Sequence, residues 1–218
     1  MRSSRLKVVA LVVAQFVGLA LVSTPGWAVF DEQKKAAEQN EAPASPEAKA
    51  ALDAGLAAVK EADAAAEGAS GKLPPAAKQA YAKARESFSA ATKADPHLAQ
   101  AWNGVGYSSR KLGDYKAALA AYDKAIELRM GYPEATEYRG EAYLALNRTE
   151  DAKQAYLDLF AVNRELAGKL LESMKKWTAS RGKNKDDVED LNDFIKERTQ
   201  IAAQTAALTR EATTQGWN

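Results

Sequence analysis

The chain has 218 residues, 46% of them hydrophobic and 27% charged, which suits one globular domain with a real core and tails. Its 30 basic and 29 acidic residues leave a formal charge of +1, so there is no electrostatic case for a nucleic-acid partner. Cysteine is absent, which excludes disulfides, thiolate metal sites and a cysteine nucleophile; the single histidine, His97, follows Asp95-Pro96 in a loop and reads as a surface residue rather than a catalytic base.

The chain opens with a basic head of Arg2, Arg5 and Lys7, an apolar run from Val8 to Val22, the breaker Pro25-Gly26 and small residues at Gly26 and Ala28. This pattern predicts a signal peptide over 1–28, cut after Ala28, because the run is shorter than the roughly 20 residues needed to span a bilayer. The rest is then expected in the periplasm or secreted, touching a membrane only through the signal peptide before cleavage. Loss of the three basic residues turns the charge of +1 into −2. Residues 29–46 are polar and broken by Pro43 and Pro46, a flexible linker. Glu47 to Glu67 is alanine-rich with Leu52, Leu56 and Val59 on one face, a helix; Gly68 to Pro75 is a loop, and Ala76 to Ala94 a second helix.

From here the chain repeats itself. Gly106, Ala118 and Tyr122 recur as Gly140, Ala152 and Tyr156, each 34 residues on, and the same step backwards reaches Ala84 and Phe88. The turns agree, since Gly113-Asp114 and Asn147-Arg148 also lie 34 apart, and Gly and Asn both accept the left-handed conformation that ends a helix.

Trp102, Val105-Gly106, Ala118 and Tyr122, with Pro96 closing the unit before, resemble the tetratricopeptide repeat. The next unit matches at Gly140, Tyr143, Ala152 and Tyr156 but has Thr136 and Arg139 in place of Trp and Leu. The resemblance implies an all-α helix-pair solenoid over 47–163, its first repeat degenerate with an insertion near 68–75, and additional C-terminal helices. Gly104-Val105-Gly106 is then helix rather than a phosphate loop, which would need a third glycine where Ser109 stands and a strand before Gly104. Residues 164–180, with Leu166, Leu170, Met174 and Trp177 at helical spacing, predict a capping helix. Residues 186–212 predict a long helix with Leu191, Phe194, Ile195, Ile201 and Leu208 on one side, free to pack back or to meet a partner.

No nucleophile motif, nucleotide loop or metal-ligand spacing appears, so neither an enzyme nor a cofactor is expected. The resemblance instead implies a concave wall of first helices that holds a segment of another protein. Carried over residue by residue, the wall presents Gln100, Asn103, Tyr107, Arg110 and Lys111 from one repeat and Glu134, Glu137, Glu141 and Leu144 from the next. Glu134 stands where a carboxylate-gripping lysine would be needed. The three glutamates, at helical spacing, predict an acidic line suited to a basic partner segment, with Tyr107 and Leu144 giving apolar contact. The reading is therefore an extracytoplasmic scaffold or adaptor. The alternative is an envelope protein that forms homo-oligomers through its last helix.

Overall fold

Proline opens three of the helices, where its missing N–H has no intrahelical partner to lose. In the computed structural model, which describes residues 44–69, 71–181 and 186–214, these are α1 (Pro46–Ala66), α2 (Pro75–Ala94) and α5 (Pro133–Ala145). The others are α3 (Ala99–Lys111), α4 (Tyr115–Leu128), α6 (Thr149–Val162), α7 (Arg164–Ala179) and α8 (Asp186–Thr214). Side-chain caps fix three starts: Ser45 Oγ accepts from the Ala48 N–H at 3.1 Å, Asp114 from Ala117 at 3.2 Å and Asn163 from Leu166 at 3.0 Å. Gly113, at φ 83°, and Asn147, at φ 60°, take the left-handed conformation expected of the two equivalent turns. The signal peptide and nearly all of the linker lie outside the described residues. Among the described residues there is no strand, and no helix is long and apolar enough to cross a membrane.

Consecutive helices pair as α1/α2, α3/α4, α5/α6 and α7/α8, and the first helices α1, α3, α5 and α7 lie side by side, so the chain is an all-α solenoid. The aromatics of α2 and α4 fill the first two junctions. Phe88 (1% exposed) enters between α1 and α3 at Gly55 and Gly104, where an added Cβ would stand 2.5 and 2.6 Å from its ring. Tyr122 covers Gly106 in the same way, at 2.5 Å. Gly104 and Gly106 are thus small because rings lie on them, and side chains there would force the helices apart.

Four details add to or correct the sequence reading. Gly140 is covered by Leu170 of α7, at 2.6 Å, while Tyr156 packs on Phe160 and Phe194. Leu56 points outward, 44% exposed, because α1 turns Ala48, Leu52, Gly55, Ala58 and Ala62 inward at steps of three and four. Trp102 is half-buried; its ring packs on the α3/α4 core and its Nε1 donates to the Pro96 carbonyl at 2.9 Å, so it pins the entry to α3. The 34-residue register also continues past 163. Buried Thr136, Gly140 and Leu144 of α5 correspond to buried Leu170, Met174 and Thr178 of α7, which makes α7 the first helix of a fourth pair rather than a lone cap. Its partner α8 runs alongside α6 and α7, burying Val188, Leu191 and Ile195, with Phe194 edge-on to Tyr156 at 5.5 Å. Of the expected stripe, Ile201 is half-buried and the Leu208 side chain lies outside the described residues.

Candidate functional site on the wall of first helices

Neighbouring first helices place residues of successive repeats side by side, and a chain of polar and aromatic groups crosses all four. Asp63 of α1 accepts hydrogen bonds from Tyr81 of α2 and from Tyr107 of α3, the latter at 3.0 Å. Lys111 lies 5.5 Å from the centres of both tyrosine rings. Arg110 lies 5.4 Å from the Tyr107 ring and 5.1 Å from that of Tyr138, so each cation sits between two aromatic faces. Burial, reinforced by the Asp63 carboxylate, pushes the Tyr81 and Tyr107 phenols well above their ordinary range. Both stay neutral donors.

Arg110 also pairs with Glu141 of α5 at 2.5 Å and approaches the Tyr122 hydroxyl with Nε at 3.4 Å. Glu141 accepts a second bond, from Ser173 Oγ of α7 at 2.8 Å. One carboxylate therefore ties three successive first helices together.

The expected acidic line separates into three environments. Glu134 is exposed to solvent, and Glu141 has its charge answered by Arg110. Glu137 is 6% exposed, with no hydrogen bond or ion pair to any described residue. Burial, and next the Glu141 carboxylate, push its carboxyl up to about 7 against the opposing pull of Arg110 and Lys169. Leu144 cannot supply the apolar contact expected of it. It is 3% exposed, belongs to the core shared by α5 to α8 and only edges a cleft of about 340 Å³ beside Arg110, Ser173 and Trp177. Gln100 is exposed at the start of α3, away from this cluster, and Asn103 is half-buried with an Oδ1 that has no partner.

The structure thus brings together Tyr107, Arg110, Lys111 and Glu141, with Glu137 beside them. It adds Tyr138, Ser173, Asp63 and Tyr81. A larger cleft of about 610 Å³ runs between α5 and α7, lined by Glu137, Glu141, Gly168, Lys169, Ser173 and others. Gly168 occupies the register position of Gln100 and Glu134, so one further step of 34 would have found it. Among the described residues no group of three His, Cys, Asp or Glu side chains could hold a metal ion.

A tetratricopeptide-repeat family model matches residues 76–133 and 110–163. Residues 76–163 are tetratricopeptide repeats. The part of the wall built by α3 and α5 is therefore the first-helix face of tetratricopeptide repeats, an interaction scaffold. Among solved structures, the first tetratricopeptide-repeat domain of Spaghetti (RPAP3), bound to the HSP90 peptide SRMEEVD, is similar at 20% identity and TM-score 0.43, over 57% of this chain and 94% of that one. The Arabidopsis OM64 tetratricopeptide-repeat domain is similar at 18% identity and TM-score 0.44, over 58% of this chain and 98% of that one. No curated protein matches the chain.

Proposed function

We propose that the chain is an extracytoplasmic scaffold whose first-helix wall binds a segment of a partner protein, one that carries basic residues. The observation that carries this is the cluster of Tyr107, Arg110, Tyr138 and Glu141, which holds half-buried aromatic and charged groups of two repeats on one face of an interaction fold. Half-exposed tyrosines supply contact area at low entropic cost, and flanking charges set orientation. The export half of the reading rests on the basic head, the short apolar run and Gly26-Trp27-Ala28.

Affinity capture from the envelope fraction, with wild type and a Tyr107→Ala, Glu134→Lys double variant of unchanged helicity, tests the binding half. A protein held by wild type and released from the variant supports it; equal recovery sinks it. Amino-terminal sequencing of exported chain should return Val29. A product beginning at Met1 would rule out cleavage.

Self-assembly through α8 is the second reading. It is favoured by the 29-residue length of that helix against 14 for α6 beside it, and by the exposure of most residues from Thr199 to Gln204. Light scattering on the full chain and on one ending after Arg198 separates the two. A monomer in both cases removes the alternative.

A further inference from the structure

Four glycines inside the helices are covered. An added Cβ would stand 2.5 to 2.6 Å from Phe88 at Gly55 and Gly104, from Tyr122 at Gly106 and from Leu170 at Gly140. Gly168, inside α7, is different: nothing lies within 4 Å of the missing Cβ. A glycine in a helix interior weakens the helix relative to alanine, and here no packing partner offsets that loss. What Gly168 does leave is an open place on the wall of the α5–α7 cleft.

The same cleft holds a buried carboxylate with no direct partner among the described residues. Around it, Glu141 is held by Arg110 and Ser173, Glu165 by Lys169 at 2.8 Å and Glu172 by Lys175 at 2.7 Å. Glu137, 6% exposed, has neither hydrogen bond nor ion pair among the described residues and faces the cavity. An ionised carboxylate at such depth is costly, so without an outside cation the side chain holds its proton, and a cation that arrives would favour its loss. A metal ion fits poorly, since no three candidate ligands converge among the described residues. An organic cation on a flexible stem fits the depth and the charge.

We propose that the α5–α7 cleft is a subsite for one lysine or arginine side chain of the partner segment, its cation meeting Glu137 while its backbone passes over Gly168. This rests on the wall being a peptide-binding surface and adds the recognised chemistry and its place. A chain-borne cation is the fitting source because the vacancy at Gly168 admits close approach of a backbone, which a free amine does not need.

A linked pH effect supports the assignment. The charged groups acting on Glu137 are Glu141 on its own helix, Arg110 from α3 and Lys169 from α7. With burial, their balance holds the Glu137 carboxyl near neutrality, at about 7, so an incoming cation favours loss of its proton. Affinity for a cationic peptide should therefore rise from pH 6 to pH 8.

The test is selection of random dodecapeptides displayed on phage by the full chain, followed by binding isotherms for a synthesised winner. Wild type is expected to select peptides with one strongly favoured Lys or Arg position. Glu137→Gln should still select peptides but lose that preference. For the winner, Glu137→Gln should weaken binding about tenfold and flatten its pH dependence, and replacing the peptide lysine by norleucine should do the same without adding to it. Gly168→Leu, whose Cβ would meet no atom within 4 Å, should fold with unchanged helicity and weaken the winner as well. Selected peptides with no cationic preference, or unchanged affinity in Glu137→Gln, overturn the subsite and leave the wall standing. Failure of wild type to select any peptide overturns both.

Discussion

The junction at Phe88 and the cleft between α5 and α7 occupy equivalent places, each between consecutive first helices, and each contains glycine. At the first, a ring from α2 enters between Gly55 and Gly104 and seals the contact. At the second, Leu170 fills the floor at Gly140, but the outer position at Gly168 is empty and a buried glutamate faces the opening. The difference shows that a small residue in a repeat has two meanings. Only what lies over it tells packing from access.

Four substitutions break or sharpen this contrast. Phe88→Ala should cost about 3–5 kcal/mol, since it empties a site closed on both sides, and chemical denaturation would show it as a large loss of midpoint. Glu137→Gln should change the pH dependence of stability. A carboxyl raised from 4.5 to about 7 in the fold stabilises it below the unfolded value, and that contribution is lost as pH rises through the folded value. Wild type should therefore fall behind Glu137→Gln by roughly 2–3 kcal/mol between pH 4.5 and pH 7.5. Parallel curves across that window would mean Glu137 is solvated. Gly104→Ala, a single methyl against the Phe88 ring, should destabilise by about 1–3 kcal/mol despite the better helix propensity of alanine. Gly168→Ala carries the opposite sign: a gain of about 0.5–1 kcal/mol in the same denaturation experiment, because the new methyl meets open space. A loss there would mean the position is packed after all.

Much of the solenoid could be read from the chain because repetition exposes it. Ala84, Ala118 and Ala152, and Phe88, Tyr122 and Tyr156, hold one register, and all six are buried. The left-handed turns at Gly113 and Asn147 were equally visible, because Gly or Asn just past the end of a helix is the residue that accepts that conformation. The first pair was harder to align. Its inserted loop breaks the 34-residue step, so nothing in the spacing points to Gly55 or to the meeting of Asp63 with Tyr81 and Tyr107. Continuation of the register into α7 was hidden by different side chains, Leu170 and Met174 standing where Thr136 and Gly140 stand before. The fates of Glu134, Glu137 and Glu141 were also out of reach. Helical spacing gives their angular positions, but burial depends on how closely the next helix approaches, and Arg110 reaches Glu141 from another repeat.

The tie from Arg110 through Glu141 to Ser173 has a mechanical consequence. It lies on the wall where successive first helices meet, and both side chains of its ion pair are largely shielded from water. Splaying α3, α5 and α7 would stretch a charge-assisted bond in a poorly hydrated setting, so this part of the solenoid is braced like a hoop against uncoiling. Elastic solenoids widen to admit a guest and lose affinity to the work of deformation. A braced one meets its guest at a fixed width, so selectivity comes from fit and little binding energy is lost to reshaping the host.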